Sequence, residues 1–258
     1  MVNIHPTAIV EAGAALGEDV EIGPYAYIGP HVEIGSGTHV GAHAVIAGHT
    51  RIGVGNRIFS QVALGGPPQD MKYAGEATRL EIGDYNTIRE FCTCNTGTVQ
   101  DKGVTTLGSH NWIMAYVHIA HDCVVGDHVV MANATTLAGH VEIGDWTVLG
   151  GMTGVHQFCK VGPHVITAGG SIVLKDIPPY VMAAGNPAHA NGINSEGLRR
   201  RGLPAGAIER VRRAYKTLYR EGLTLAEAMQ RLEADAAQST EVALLLEFLR
   251  RVERGIVR

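Results

Sequence analysis

Aromatic side chains make up only 5% of this 258-residue chain, cysteine appears four times, and neither sign of charge dominates. So few rings exclude a wide core built on aromatics. With a net charge of −4 they also argue against a nucleic-acid surface, which interleaves cations with stacking rings. No apolar run is long enough to span a bilayer, and the regular pattern begins at Ile4, which leaves no room for a signal peptide. Cys92 and Cys94 have no second pair to complete a metal site, so no metal is expected. Cys123 and Cys159 lie too far apart in the pattern described next to form a disulfide. Four reduced thiols make the cytoplasm the expected compartment.

What the chain has instead is a six-residue beat. An aliphatic recurs at Ile4, Val10, Leu16, Ile22, Ile28, Ile34, Val40, Ile46, Ile52, Ile58 and Leu64, at Ile82 and Ile88, and again from Leu107 to Val173. The next residue is often Gly (Gly23, Gly29, Gly35, Gly53, Gly83, Gly108, Gly126, Gly144), and the residue four past the aliphatic is small (Ala8, Ala26, Ala44, Cys123, Thr135, Thr153, Ser171). A period of six fits neither a 3.6-residue helix nor a simple alternating strand. It fits a solenoid of hexapeptide faces, three to a triangular coil of eighteen residues, stacked at roughly 4.8 Å. The expected fold is therefore mainly β, a parallel β-helix of eight or nine coils with positive-φ corners supplied by Gly and Asn. Gly65–Arg79 and Gly97–Thr106 interrupt the beat and should protrude as loops, where function concentrates.

After Pro178-Pro179 the hexads end, and a boundary near Gly185 divides a β-helical domain, 1–185, from a C-terminal helical domain, 186–258. Pro204 to Arg220 carries apolar residues at helical spacing, Thr224-Leu-Ala-Glu227 is a capping box opening a second helix, and Glu241 to Glu253 reads as a third. This tail holds 13 Lys/Arg against 9 Asp/Glu, or +4, while the rest holds 8 against 16, or −8. Between Arg199 and Arg220 there are eight basic residues and one acid, a surface for an anionic ligand or an acidic protein, or simply a solvated helix face.

There are thirteen histidines. If residues eighteen apart stack, His118, His121, His140 and His156 gather around one edge of three successive coils, and imidazoles suit general-base work near neutral pH. The same arithmetic gathers His110, His128, Trp146 and His164 into an equally tidy column, so stacking alone does not identify a catalytic group. Context separates the two. Asp122 follows His121 and is able to orient it, and Gly139 lies one coil above His121, where its N–H faces an oxyanion formed beside that ring. Acyl transfer without a covalent intermediate fits this set.

Several runs are far more specific than the hexads: His118-Ile-Ala-His121-Asp122-Cys123, Leu137-Ala-Gly-His140, Gly150-Gly-Met-Thr-Gly-Val-His156-Gln157-Phe158-Cys159, Gln69-Asp70-Met-Lys72-Tyr73-Ala-Gly-Glu76 and Asn194-Ser-Glu196-Gly-Leu-Arg-Arg200-Arg201-Gly202. Over essentially its whole length the chain resembles the acyl-carrier-protein:UDP-N-acetylglucosamine O-acyltransferases that begin lipid A synthesis. That resemblance implies a left-handed coil, which the period does not give. It implies that His121 is the general base for the sugar 3-hydroxyl, supported by Asp122, with the Gly139 N–H on the oxyanion. Gln69, Asp70, Lys72, His118, His140, His156 and Gln157 would position acyl chain, phosphopantetheine or sugar, and Asn194, Glu196, Arg200 and Arg201 would hold the UDP portion. It further implies a homotrimer with sites between subunits, an acidic acyl carrier protein docked on the basic tail, and no resident cofactor, since the phosphopantetheine arrives on the carrier. Gly151 and Gly169, one coil apart, would leave the acyl groove open for a fairly long 3-hydroxyacyl chain.

One departure bears on the acceptor. Where the family commonly has His-Arg-Gly-Thr, this chain has Asn95-Thr96-Gly97-Thr98, so N-acylation of a 3-amino sugar stands as the alternative. Other classes fit less well. A trimeric zinc carbonic anhydrase would need a ligand at Gly169 beside His128 and His164. The later N-acyltransferase of the pathway carries a domain before its hexads. Coenzyme A-dependent acetyltransferases generally lack the helical tail, and a non-catalytic scaffold leaves the His, Asp and Lys edge unexplained.

Overall fold

The computed structural model describes residues 1–258: a three-sided prism of parallel strands followed by four helices. The sheets hold 11, 9 and 8 strands, most only two residues long. Strands one coil apart pair in parallel, Asn3 with Glu21, His118 with Thr136 and Glu142 with Lys160. In each short strand the second residue turns inward, so Ile28, Ile46, Ile58, Ile113, Leu137 and Leu149 are fully buried, each contributing ~1.5–3 kcal/mol of transfer free energy. The small residues of each hexad (Ala44, Cys123, Thr135, Thr153, Ser171) complete a narrow interior at 0% exposure. All four cysteines are buried free thiols, and burial pushes Cys92 up to about 11 and Cys123 to about 12, which keeps them chemically quiet.

The corners depart from the sequence expectation. Positive φ is carried mainly by residues other than Gly or Asn, among them Tyr25, His43, Tyr85, His110, Tyr116, His128, His140, Trp146, Phe158 and His164. This conformation costs an ordinary residue on the order of 1 kcal/mol or more, and two features offset it. The corner N–H donates to a carbonyl of the preceding coil, as His128 does to Ser109 and Trp146 to Asp127, both at 2.9 Å. Flat rings also stack from coil to coil along the corner. The glycines after the aliphatic answer a different need. A Cβ on Gly35 would lie 2.5 Å from the Gly53 carbonyl carbon, and one on Gly108 would lie 2.6 Å from the Gly126 oxygen, so they are required by the close approach of successive coils.

Two coils are lengthened. Arg57 pairs with Thr87, a step of 30 residues, and Thr93 with His118, a step of 25. The extra chain forms the two loops, whose ends zip into the sheets as Ala63–Gly66, Arg79–Ile82 and Val104–Leu107. At the other end, Val181–Ala184 turns back to pair antiparallel with His189–Ile193. The expected boundary near Gly185 therefore falls inside a hairpin of the prism's largest sheet, because the hexad rhythm is lost before the sheet is. Helices then follow: α1 (Ser195–Arg200), which the apolar spacing does not reveal, α2 (Ala205–Tyr219), α3 (Leu225–Ala236), opened by the Thr224/Glu227 capping box, and α4 (Thr240–Arg250). The last ends three residues before Glu253. Leu198, Val211, Leu218, Leu232 and Leu245 form their shared core, and Ile256 returns to bridge Asp176 on the prism.

Candidate active site

His121 and His140 occupy neighbouring coils at one corner, their rings 4.9 Å apart and nearly perpendicular at 87°. Below them Asp122 is completely buried. Its carboxylate accepts from His121 Nδ1 at 3.0 Å, from the Thr98 N–H at 3.0 Å and from the Thr98 hydroxyl at 2.6 Å. Burial alone pushes this carboxyl up, but the Thr98 hydroxyl, His121 and the Thr98 N–H outweigh it and leave its pKa below the usual value. An ionised Asp122 engages Nδ1 of His121 and leaves Nε2 as the ring atom free to take a proton.

Gly139 lies against the other side of that imidazole. A Cβ there would sit 2.5 Å from Cε1 and 2.6 Å from Nε2 of His121, so only glycine admits the ring. The Gly139 N–H donates to no protein group and is free for an incoming oxygen. His118 lies on the adjoining face, its Nδ1 2.7 Å from the Thr93 hydroxyl, and burial together with nearby His121 lowers its pKa, favouring the neutral ring. Phe158, one coil higher, stacks on His140 at 4.4 Å. His156 and Gln157 beside it are exposed, with His156 Nδ1 3.1 Å from the Gln157 carbonyl.

The corner opens into a cleft of about 620 Å³ lined by Asp70 and Lys72 of the first loop, Thr98, Asp101 and Lys102 of the second, His140, Phe158, and Lys160 with Arg251. Gln69 is exposed but does not line it. His121, Asp122 and His140 also have ligand atoms within 4.8 Å of one another, yet the Asp122 carboxylate already accepts from Thr98 and His121.

The tail residues stand at a different corner of the same chain. Asn194 caps α1 through Gly197 and donates Nδ2 to the His164 carbonyl at 2.9 Å. The Arg201 guanidinium lies over Trp146, 5.2 Å from the ring centroid. Glu196 pairs with Arg199 and Arg200 on the surface. Burial and the Arg201 charge push His164 down to about 4. Within one chain these groups sit at the corner that carries Trp146 and His164, not at the corner that carries His121 and His140.

Asn95 and Thr96 lie beneath the first loop. Asn95 Nδ2 donates to the Pro67 carbonyl at 2.9 Å, Thr96 meets the Thr78 hydroxyl at 3.1 Å, and neither lines the cleft. Asn95 and Thr96 thus support a loop, and the ground for a changed acceptor weakens accordingly. Gly169 is exposed, and a Cβ on it would lie 3.3 Å from the Gly151 oxygen, so the pair stacks as expected.

Comparison with known proteins decides the family. A family model described as bacterial transferase hexapeptide (six repeats) matches residues 13–48 and 105–139, and one described as Udp N-acetylglucosamine O-acyltransferase, domain 2, matches 176–257. A relative from Thiobacillus denitrificans named acyl-[acyl-carrier-protein]--UDP-N-acetylglucosamine O-acyltransferase is 69% identical over 100% of both chains. One of the same name from a Janthinobacterium species is 58% identical over 99% of both. The chain belongs to this acyltransferase family. The solved structure of LpxA from Acinetobacter baumannii superposes with a TM-score of 0.97 at 50% identity over 99% of both chains. The Arabidopsis UDP-N-acetylglucosamine acyltransferase superposes at 0.85 with 36% identity, covering 99% of this chain and 100% of that one. The prism is accordingly the family's left-handed parallel β-helix with a C-terminal helical region.

Several residues that line the cleft do not stand out in the sequence, among them Thr98, Asp101, Lys102, Phe158, Lys160 and Arg251. The 25-residue step sets position 97 below 122, so the arithmetic that found the histidines would have placed Thr98 beside Asp122 had the loop's length been included.

Proposed function

We propose that the His121 corner transfers a 3-hydroxyacyl group from acyl carrier protein to the 3-hydroxyl of UDP-N-acetylglucosamine, the first step of lipid A biosynthesis. The observation that carries this reading is the Asp122–His121–Gly139 arrangement: a buried carboxylate on Nδ1, an open Nε2, and an unpartnered backbone N–H against the same ring. His121 Nε2 takes the hydroxyl proton as the oxygen attacks the thioester carbonyl. The Gly139 N–H donates to the oxyanion of the tetrahedral intermediate. Collapse expels the phosphopantetheine sulfur, which recovers the proton from the His121 imidazolium, so the enzyme ends unchanged. Asp122 holds the ring and its positive charge throughout.

The remaining roles follow position. Asp70, Lys72 and His140 line the cleft, and with Gln69, His118, His156 and Gln157 on the neighbouring surface they would orient donor and sugar. Asn194, Glu196, Arg200 and Arg201, at a different corner, reach a His121 site only from a neighbouring subunit, which favours a trimer with shared sites. Exposed Trp112 and Met182 on one outer face and exposed Phe91, Tyr116 and Met152 along the adjoining corner offer apolar surface for that contact. The basic residues of α2 suit an acidic carrier protein, no resident cofactor is needed, and four buried thiols fit the cytoplasm as the compartment.

A competition assay tests the acceptor: UDP-N-acetylglucosamine and its 3-amino analogue are offered together with a set of hydroxyacyl carrier proteins, and products are identified by mass. The ester should predominate. An amide as the main product would replace this reading with the N-acylating one.

A further inference from the structure

The second loop holds both histidines of the corner, and only half of that arrangement belongs to the catalytic pair described above. Thr98 carries Asp122 and through it His121. Three residues further on, the Asp101 carboxylate lies 2.6 Å from His140 Nδ1, closer than any other partner of that ring, since Asp122 stands at 3.9 Å. Resting on the acyl-transfer reading of this corner, we infer that Asp101 is a positioning residue that fixes the His140 ring edge-on to His121 and thereby selects the ring atom His140 offers to substrate.

The chemistry is that of the neighbouring pair, built from a different element. A carboxylate on Nδ1 takes that nitrogen as donor and leaves Nε2 facing the cleft that His140, Asp101 and Lys102 line. On its other side the ring stacks on Phe158 at 4.4 Å with only 9° between planes, which sets the plane of the ring but leaves both of its flip-related orientations open. Only the Asp101 contact removes that freedom. Lys102 steadies the loop end twice, with Nζ 3.4 Å from the Asp122 carbonyl and 3.9 Å from the Asp101 carboxylate. The loop thus registers the two imidazoles against each other, His121 through Thr98 and Asp122, His140 through Asp101. The pair is no ordinary surface ion pair: the His140 side chain is only 13% exposed, although that of Asp101 is 37% exposed.

The test is a double-mutant cycle on the full-length enzyme, with Asp101→Ala, His140→Ala and the combination assayed for kcat and KM toward hydroxyacyl carrier protein and UDP-N-acetylglucosamine. Asp101→Ala should lower kcat/KM about tenfold, the scale of a lost charge-assisted hydrogen bond. It should divide the loss between kcat and KM as His140→Ala does and add nothing to it in the combination. Asp101→Glu should recover part of the loss, and the melting temperature of Asp101→Asn should match the parent, because the side chain is at the surface. A wild-type rate for Asp101→Ala, or losses that multiply in the combination, overturns the inference. His121→Ala run alongside separates the two claims: its inactivity together with an unaffected Asp101→Ala sinks only the role of Asp101, whereas full turnover by His121→Ala sinks the reading of the corner.

Discussion

Two corners of the prism carry columns of imidazoles, and the contrast between them is what singles out one as the candidate active site. At one corner His110, His128 and Trp146 stack face to face, with interplanar angles of 7° and 11°. Tyr85 and Tyr180 extend the two ends of that column by packing on His110 and His164. These rings cover positive-φ turns with flat surface. At the other corner His121 and His140 meet at 87°, each ring nitrogen toward the loop is taken by a carboxylate, and a glycine replaces the residue that would fill the space over His121. The histidines are the same; the second loop, the buried Asp122 and Gly139 make the difference.

The sharpest way to break that contrast short of removing the base is Gly139→Ala. The added Cβ would meet the His121 ring at 2.5 Å, and displacement of a catalytic group by about 1 Å costs on the order of a hundredfold in rate. Activity should fall by that order, measured as kcat/KM, while the parallel strands around it keep the protein folded.

Thr98→Val acts more gently, removing one hydroxyl from Asp122 and retaining the N–H contacts. The sign follows from linkage: a carboxyl whose folded pKa is depressed contributes stability above its ordinary value and loses it as pH falls through the depressed one. Without the Thr98 hydroxyl that pKa rises, so the onset of acid unfolding, followed as a pH–stability profile, should move to higher pH. His121, His140, Asp101 and Lys102 face the same carboxylate or its neighbours, so the profile is read in parallel with Asp101→Asn to separate their contributions.

Gly169→Met leaves rates with short donors nearly intact and should shift preference toward shorter acyl chains, because a side chain there projects beside Gly151 at the far edge of the face that carries His118. Product masses from mixed donors report it, and an unchanged profile removes Gly169 from the acyl groove. The smallest effect belongs to the other column: His110→Ala should change kcat/KM less than about twofold and stability by about 1 kcal/mol or less, since Ala134 already occupies a positive-φ corner.

Much of this contrast was readable in the residues. The six-residue beat gave the coil, and with it the neighbourhood of His118, His121, Asp122, Gly139 and His140, because parallel register at eighteen residues is simple arithmetic. Three things were not readable. Which residues take positive φ depends on stacking between coils, so rings stand where glycine was expected. The end of the prism at Ile193 escaped because its last hairpin is antiparallel and follows no hexad. Thr98 and Asp101 escaped because their contacts form across an insertion that resets the register, as do those that place Asn95 beneath the first loop.

The most direct test compares the two columns in one assay: kcat/KM of His121→Ala and His110→Ala with the same hydroxyacyl carrier protein and UDP-N-acetylglucosamine. Removal of the general base should lower activity by ~10²–10⁴-fold, with His110→Ala close to the parent. Equal activities for the two variants, or turnover by His121→Ala at the parental rate, would contradict the assignment of the chemistry to the His121 corner.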